Sequence, residues 1–193
     1  MRKSIRKFFI RFTVFDLIII ALVAALGIAT KPVIVPLVHM ITGPLFIPGG
    51  AVAGGFYMMW IVIGAGITGK RGAATLIALV QAIMVIAIGV FGTHGIMSLV
   101  TYLIPGLAVD LFLIISRQNC RNIVSCFFAG MIANIAGTVM TNLIFFKLPW
   151  IPLLLTIAAS ALSGGLGGLL AHSLTKGFKK INIAGFRTTR RKI

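Results

Sequence analysis

The feature that most limits the fold of this chain is a series of six apolar runs, each long enough to cross a bilayer as a helix. A helix rises 1.5 Å per residue, so about 20 residues span a hydrocarbon core of about 30 Å. The runs are too long and too evenly apolar for barrel strands, which alternate apolar and polar residues. The predicted spans are residues 13–30, 51–68, 73–90, 96–116, 122–146 and 150–175.

Composition favours one integral membrane domain over residues 1–193. The chain is 59% hydrophobic and only 10% charged, too little charge to cover a soluble surface. The formal net charge of +16 does not indicate nucleic-acid binding, because the basic residues lie between apolar runs and are not interleaved with stacking aromatics. We therefore expect the chain to be embedded in the lipid bilayer and to bind no nucleic acid.

The basic residues orient the spans. With both termini in the cytoplasm, sixteen of the eighteen Lys and Arg residues lie inside, and only Lys31 and Lys147 lie outside. The sequence therefore predicts an all-α membrane protein, a compact bundle of six transmembrane helices with cytoplasmic termini, in the plasma membrane of a prokaryote. The N-terminal part resembles a secretory signal, but we expect an uncleaved span because its small-residue stripe continues to its end.

The connection over residues 31–50 is apolar but contains four prolines. Proline lacks a backbone N–H and breaks a regular helix. The sequence therefore predicts an outer cap or re-entrant segment here, folded over the bundle. The other outer connections are short and nearly uncharged, which indicates that ligands approach from the outside.

Polar and aromatic side chains in or beside the outer halves of the spans predict a binding site. Polar groups in lipid are costly and face the bundle interior or a cavity. A cavity lined by aromatic rings, amides and hydroxyls suits a small, flat, polar organic ligand. For each residue, hydrogen bonding between helices or anchoring at the interface is the alternative. The candidates are His39, Tyr57, Trp60, Gln81, His94, Tyr102, Asp110, Asn134, Thr138, Asn142 and Trp150.

The only two acidic residues lie within or beside spans. An intramembrane carboxylate is a functional candidate, so Asp110 is expected to contact substrate or to pair with Arg117 or with a partner's basic residue. Asp16 lies near the inner end of the first span, where it is expected to cap the helix or pair with a neighbouring arginine.

Two spans carry stripes of small residues. In lipid, close backbone approach drives helix association, so small residues mark contact faces. Packing within the chain and docking of another membrane subunit both remain open. The stripes are Ala21, Ala25 and Ala29 in the first span, and Ser160, Gly164 and Gly168 in the sixth.

Catalytic and nucleotide-binding motifs are missing from the sequence. It has no phosphate-binding glycine loop followed by lysine, no paired-histidine zinc motif, no Ser/His/Asp set and no carboxylate pair. Cys120 and Cys126 offer no disulfide framework. We expect no enzyme activity, no metal and no cofactor in this chain.

The sequence resembles a known family over nearly its whole length. Six short spans, a basic N-terminus and the alanine stripe in "ALVAALGIA" resemble the substrate-binding S component of an energy-coupling factor (ECF) vitamin transporter. The stretch from Gly69 to Leu113, with "GKRGAATLIALVQAIMVIAIG" and "LIPGLAVDLFL", is similar to the thiamine and hydroxymethylpyrimidine subgroup. Gly106 and Asp110 occupy the Gly-x-x-x-acid element of that subgroup.

The resemblance implies capture of a water-soluble vitamin or precursor from outside, in a pocket covered by outer loops. It also implies partners: a transmembrane coupling subunit of the EcfT type and two ATPases, which bind the ATP that this chain does not. Ala21 and Ala25, with Ala29 as an extension, would meet the coupling subunit. The alternatives are an S component for another vitamin such as cobalamin, a small autonomous transporter or channel, and a structural subunit without a ligand.

Overall fold

The computed structural model describes residues 12–45, 48–89, 95–118, 120 and 122–190, and within them it contains six α-helices and no strand. The helices are α1 (Val14–Thr42), α2 (Gly49–Thr68), α3 (Ala73–Ile88), α4 (Ser98–Ile115), α5 (Ile123–Thr141) and α6 (Trp150–Arg190). Short 3₁₀ turns, Gly43–Leu45 and Gly95–Met97, precede α2 and α4, and a π-helical turn, Asn142–Phe146, extends α5. The prediction of an all-helical bundle is confirmed.

Five of these helices have the length and composition to cross a membrane. The remaining helix, α3, has 16 residues and is about 24 Å long at 1.5 Å per residue. It ends at Ile88 within the predicted span 73–90. Six transmembrane helices with cytoplasmic termini therefore remain a prediction.

The predicted cap over residues 31–50 is wrong for its first twelve residues. They continue α1 through Pro32 and Pro36 to Thr42. In lipid no water is present to satisfy an unwound backbone, and prolines inside spanning helices are tolerated because neighbouring groups satisfy the freed carbonyls. The C-terminal half of α1 consequently becomes a wall of the bundle.

The central helix of the bundle is α2, which packs against α1, α3, α5 and α6. Thirteen of its twenty residues are buried, among them Ile61, Val62 and Ile63. Its contact with α6 is backbone to backbone, since a Cβ on Gly167 would lie 2.0 Å from the carbonyl oxygen of Gly55. Small residues thus let α6 approach the centre of the fold.

The two small-residue stripes lie in different surroundings. In α6, Ser160 is buried, and a Cβ on Gly164 would lie 2.5 Å from the carbonyl oxygen of Gly130 in α5. That stripe packs within the chain. In α1, Ala21 and Ala29 are exposed and Ala25 is half-buried, so this stripe lies on the surface of the bundle.

The end of the bundle where α1 begins is fixed by charged groups. Thr13 and Asp16 form a capping box: the Thr13 side chain accepts from the Asp16 backbone N–H, and the carboxylate accepts from Thr13 N–H at 2.7 Å. Asp16 also forms a salt bridge with Lys70 in the turn between α2 and α3. The predicted cap is confirmed, but the basic partner is a lysine, not an arginine.

Candidate substrate-binding site

A cavity of about 460 Å³ opens at the other end of the bundle, where α1 and α5 end and α2, α4 and α6 begin. Its volume falls within the range of about 300–1,000 Å³ that small-molecule sites occupy. Most of its wall is apolar. The polar or aromatic residues that line it are Lys31, His39, Tyr57, Thr101, Tyr102, Thr138, Thr141, Asn142, Phe146 and Thr156.

Five of the eleven residues predicted for a binding site line this cavity. They come from four helices that the sequence separates by up to a hundred residues. The five are His39, Tyr57, Tyr102, Thr138 and Asn142. The fold therefore brings together the two tyrosines and the polar residues near the C-terminal end of α5.

Lys31 is the cation of the cavity, and the sequence analysis placed it in an outer loop instead. Its side chain is buried, with 8% of the residue exposed. The ammonium donates a hydrogen bond to the hydroxyl of Tyr102. It also lies 4.6 Å from the ring centre of Tyr102 and 5.5 Å from that of Tyr57, within the range of a cation–π contact.

Two hydrogen bonds order the start of α2, one to His39 of α1 and one within α2 itself. The backbone N–H of Gly49 donates to Nδ1 of His39 at 3.4 Å, and the hydroxyl of Tyr57 donates to the carbonyl of Gly50 at 2.9 Å. Because Nδ1 of His39 accepts, Nε2 carries the proton in the neutral ring. His39 itself is exposed, at the mouth of the cavity.

The π-helical turn at the end of α5 positions Asn142. The side-chain carbonyl of this buried residue accepts from the backbone N–H of Leu148 at 3.0 Å, so its amide NH₂ is the group left for a ligand. The turn closes at Lys147, whose φ of 46° is left-handed and whose N–H donates to the carbonyl of Asn142 at 2.8 Å. π-turns of this kind are frequent at functional sites.

Asp110 does not line the cavity, which corrects its assignment to the binding site. Its carboxylate accepts from the backbone N–H of Gly72 at 3.0 Å, the N–H of Thr75 at 2.8 Å and the hydroxyl of Thr75 at 2.6 Å. The first N–H groups of a helix lack partners within the helix and attract negative charge. Asp110 therefore joins α4 to the start of α3, at the end of the bundle away from the cavity.

Three further candidates lie inside the helix packing instead of the cavity. Asn134 donates to the carbonyls of Ala51 and Ser160, at 2.9 and 2.8 Å, and so joins α5 to α2 and α6. Gln81 and Trp60 meet at Gly27 on α1, where an added Cβ would lie 2.1 Å from the Gln81 amide nitrogen. Asn134 therefore has the interhelical hydrogen bonds left open by the sequence, whereas Gln81 and Trp60 pack where α1, α2 and α3 meet.

The last two candidates stand apart. Trp150 is 72% exposed at the start of α6, a location typical of an aromatic anchor at the membrane interface. His94 lies outside the described residues.

Several lining residues were missed by the sequence analysis, chiefly Lys31, Thr101 and Thr156. Lys31 was hidden because the neighbouring prolines predicted a loop, although a lone lysine in an apolar run was a usable signal. Thr156 is buried, and its hydroxyl donates to the carbonyl of Pro152. Nothing local in the sequence distinguishes it from other threonines that bond their own helix.

The structure is a bundle of apolar helices with a cavity that opens at one end. Among solved structures, one described as "Crystal structure of an S-component of ECF transporter" matches with a TM-score of 0.76 and 18% sequence identity, covering 94% of this chain and 95% of that chain. The chain thus has the S-component fold. A family model described as "ABC-type cobalt transport system, permease component" matches residues 15–136, and the chain belongs to that family. No curated protein matches.

Proposed function

We propose that this chain is the substrate-binding S component of an ECF-type importer, and that its cavity captures a small organic compound from outside the cell. The observation that carries the proposal is the cavity itself, with five predicted site residues and a buried lysine at one end of a bundle that has the S-component fold. Lys70 lies between α2 and α3, and Arg117 lies between α4 and α5. Both connections are at the end of the bundle away from the cavity. The positive-inside rule then directs the cavity outward.

The exposed small residues of α1 favour the docking of another membrane subunit. Ala21 and Ala29 are exposed, although small residues in lipid mark places where another helix approaches. In the same chain the α6 stripe of Ser160, Gly164 and Gly168 is buried in contacts within the bundle. A transmembrane coupling subunit that binds ATPases would use the α1 stripe, and ATP would be bound by those partners.

The substrate proposed from the sequence was thiamine or its hydroxymethylpyrimidine precursor. Of the two, the pyrimidine is better supported, because thiamine is a cation and the cavity already contains the ammonium of Lys31. Asp110, the acid that would have balanced a cation, is bound at the start of α3. Cobalamin is a large macrocycle, and a cavity of about 460 Å³ is small for it.

The family description mentions cobalt, and a bare cobalt ion is a second candidate cargo. Divalent cobalt is bound by imidazole, carboxylate or thiolate groups. Of these, the described part of the cavity contains one imidazole, that of His39, beside the positive charge of Lys31. Within the described residues no cluster of three His, Cys, Asp or Glu side chains occurs. This donor set favours an organic substrate.

The test is ligand identification on the isolated chain. We expect native mass spectrometry of the protein purified in lipid nanodiscs to detect one small organic molecule per chain, without ATP or partners. Replacement of Tyr102 by Ala should remove that molecule, since the ring forms part of the wall, whereas Leu111→Ala on the exposed face of α4 should retain it. A chain that binds no small molecule, or that retains it in Tyr102→Ala, would contradict the proposal.

A further inference from the structure

We infer that the substrate carries an anionic oxygen group, a carboxylate or a phosphate, which binds the ammonium of Lys31. The inference rests on the proposed function and names the chemical class of its substrate. It starts from an imbalance: a buried cation lines a mostly apolar cavity, and no acidic side chain lines that cavity.

The contacts that Lys31 makes within the chain leave part of its hydrogen-bonding capacity for a ligand. An ammonium has three N–H donors, and in the described residues one is given to the hydroxyl of Tyr102. The ring faces of Tyr57 and Tyr102 add an attraction without accepting a conventional hydrogen bond. Burial of a charge is costly unless a counter-charge and hydrogen bonds accompany it.

The chain has no side-chain acid to provide that counter-charge. It contains two acidic residues in all. Asp16 is bound by Thr13 and Lys70 at the start of α1, and Asp110 is bound by Gly72 and Thr75 at the start of α3. Both lie at the end of the bundle away from the cavity. The counter-charge for Lys31 must therefore come from outside the chain, and the cavity is where it can enter.

The other polar groups of the cavity suit the same ligand. The amide NH₂ of Asn142 and the Nε2–H of His39 are the donors left for a ligand. The other polar atom of each side chain already accepts a hydrogen bond: Oδ1 of Asn142 from Leu148 N–H, and Nδ1 of His39 from Gly49 N–H. Donors match the lone pairs of a carboxylate or phosphate, which accept charge-assisted hydrogen bonds. Tyr57, Met58 and the remaining apolar wall accommodate an organic body, so the substrate is an organic anion and not an inorganic ion.

The experiment measures binding to the full chain in nanodiscs with two matched probe sets. The first contains hydroxymethylpyrimidine, its phosphate monoester, the corresponding pyrimidine carboxylate, and thiamine. The second contains benzyl alcohol, benzyl phosphate and benzoate. In at least one set we expect an anion to bind at least about tenfold more tightly than the neutral alcohol, a factor equivalent to about 1.4 kcal/mol. The phosphate and carboxylate members distinguish the two sources of anionic oxygen.

Variants connect the preference to Lys31. Lys31→Met should abolish the preference for the anion over the neutral member, while Lys31→Arg should retain most of the preference. Lys176→Met is the matched control, since Lys176 is an exposed lysine of α6 at the end of the bundle away from the cavity. A monodisperse gel-filtration profile for each variant shows that it is folded.

Three results would overturn the inference: no anion binds, the neutral or cationic member binds as tightly, or Lys31→Met keeps the preference. These results are separate from failure of the proposed function. Partner-dependent uptake of thiamine would keep the S-component proposal and refute the anion. Anion binding that depends on Lys31, without any partner-dependent uptake, would do the reverse.

Discussion

Two intramembrane charges in this chain have opposite roles. Asp110 and Lys31 are both buried, yet the carboxylate is fully hydrogen-bonded by α3, whereas the ammonium faces a cavity. The rule that an intramembrane charge indicates function fails for Asp110 because a helix start lies beside it, with N–H groups that need an acceptor. Sequence alone does not show that Gly72 and Thr75 meet a residue thirty-eight and thirty-five positions later, respectively.

The first prediction concerns Asp110. Asp110→Asn keeps the shape of the side chain but weakens charge-assisted hydrogen bonds to Gly72 and Thr75. We expect a loss of about 1–3 kcal/mol in the free energy of unfolding, the usual cost at a buried hydrogen-bonded charge. Substrate affinity of the folded protein should remain within about threefold, because a remote cap contributes well under 1 kcal/mol to binding.

Unfolding in detergent and binding in nanodiscs measure these two quantities separately. Leu111→Ala, at the neighbouring exposed position, is the control for any change in α4. Loss of binding in a stable Asp110→Asn variant would return Asp110 to the substrate site and contradict its role as a cap.

At the scale of elements, the largest difference from expectation is α1. Prolines in the sequence predicted a break after residue 30, and the helix continues to Thr42. The energetic reason is the solvent: a helix interrupted in lipid loses backbone hydrogen bonds that water would otherwise replace. One consequence is that a single helix carries both the exposed alanine stripe and a wall of the cavity.

Glycines control the approach of α6 to α2. Gly167→Ala would place a Cβ 2.0 Å from the carbonyl oxygen of Gly55, so the helices must separate. We expect a destabilisation of about 1–3 kcal/mol, as for other insertions into a packed core. The matched control is Gly177→Ala in the same helix, where nothing lies within 4 Å of the added Cβ.

Gly177→Ala should be neutral or stabilising by up to about 1 kcal/mol, since alanine is the better helix former. Thermal or SDS unfolding of both variants in the same detergent measures the difference. Equal stabilities for the two would show that the close contact between α2 and α6 does not hold the bundle together.

At the scale of the whole molecule, the sequence predicted more of the fold than of the site. Apolar runs located all six helices, since each run is long and uniform, and the two tyrosines were found because they are the only tyrosines in the sequence and both lie in spans. Asn134 does not line the cavity, because a polar residue in a span satisfies its hydrogen bonds equally well with a neighbouring helix. Which helix that is depends on tertiary packing, which a single sequence does not encode locally.

The alanine stripe of α1 is predicted to meet the coupling subunit. Ala21→Trp and Ala25→Trp should reduce partner-dependent uptake at least about tenfold, because a bulky ring prevents close helix approach, while binding by the isolated chain remains. Leu166→Trp, at an exposed position of α6, is the matched control and should transport normally. Normal uptake by both Ala21→Trp and Ala25→Trp would rule out this surface as the docking face.

Uptake of the identified ligand into proteoliposomes, with and without a coupling subunit and two ATPases, distinguishes an S component from an autonomous transporter. We expect tight binding by the chain alone, no uptake by the chain alone, and ATP-dependent uptake when all partners are present. Uptake by the chain alone at the rate of the full assembly would contradict the S-component proposal, and would identify an autonomous transporter instead.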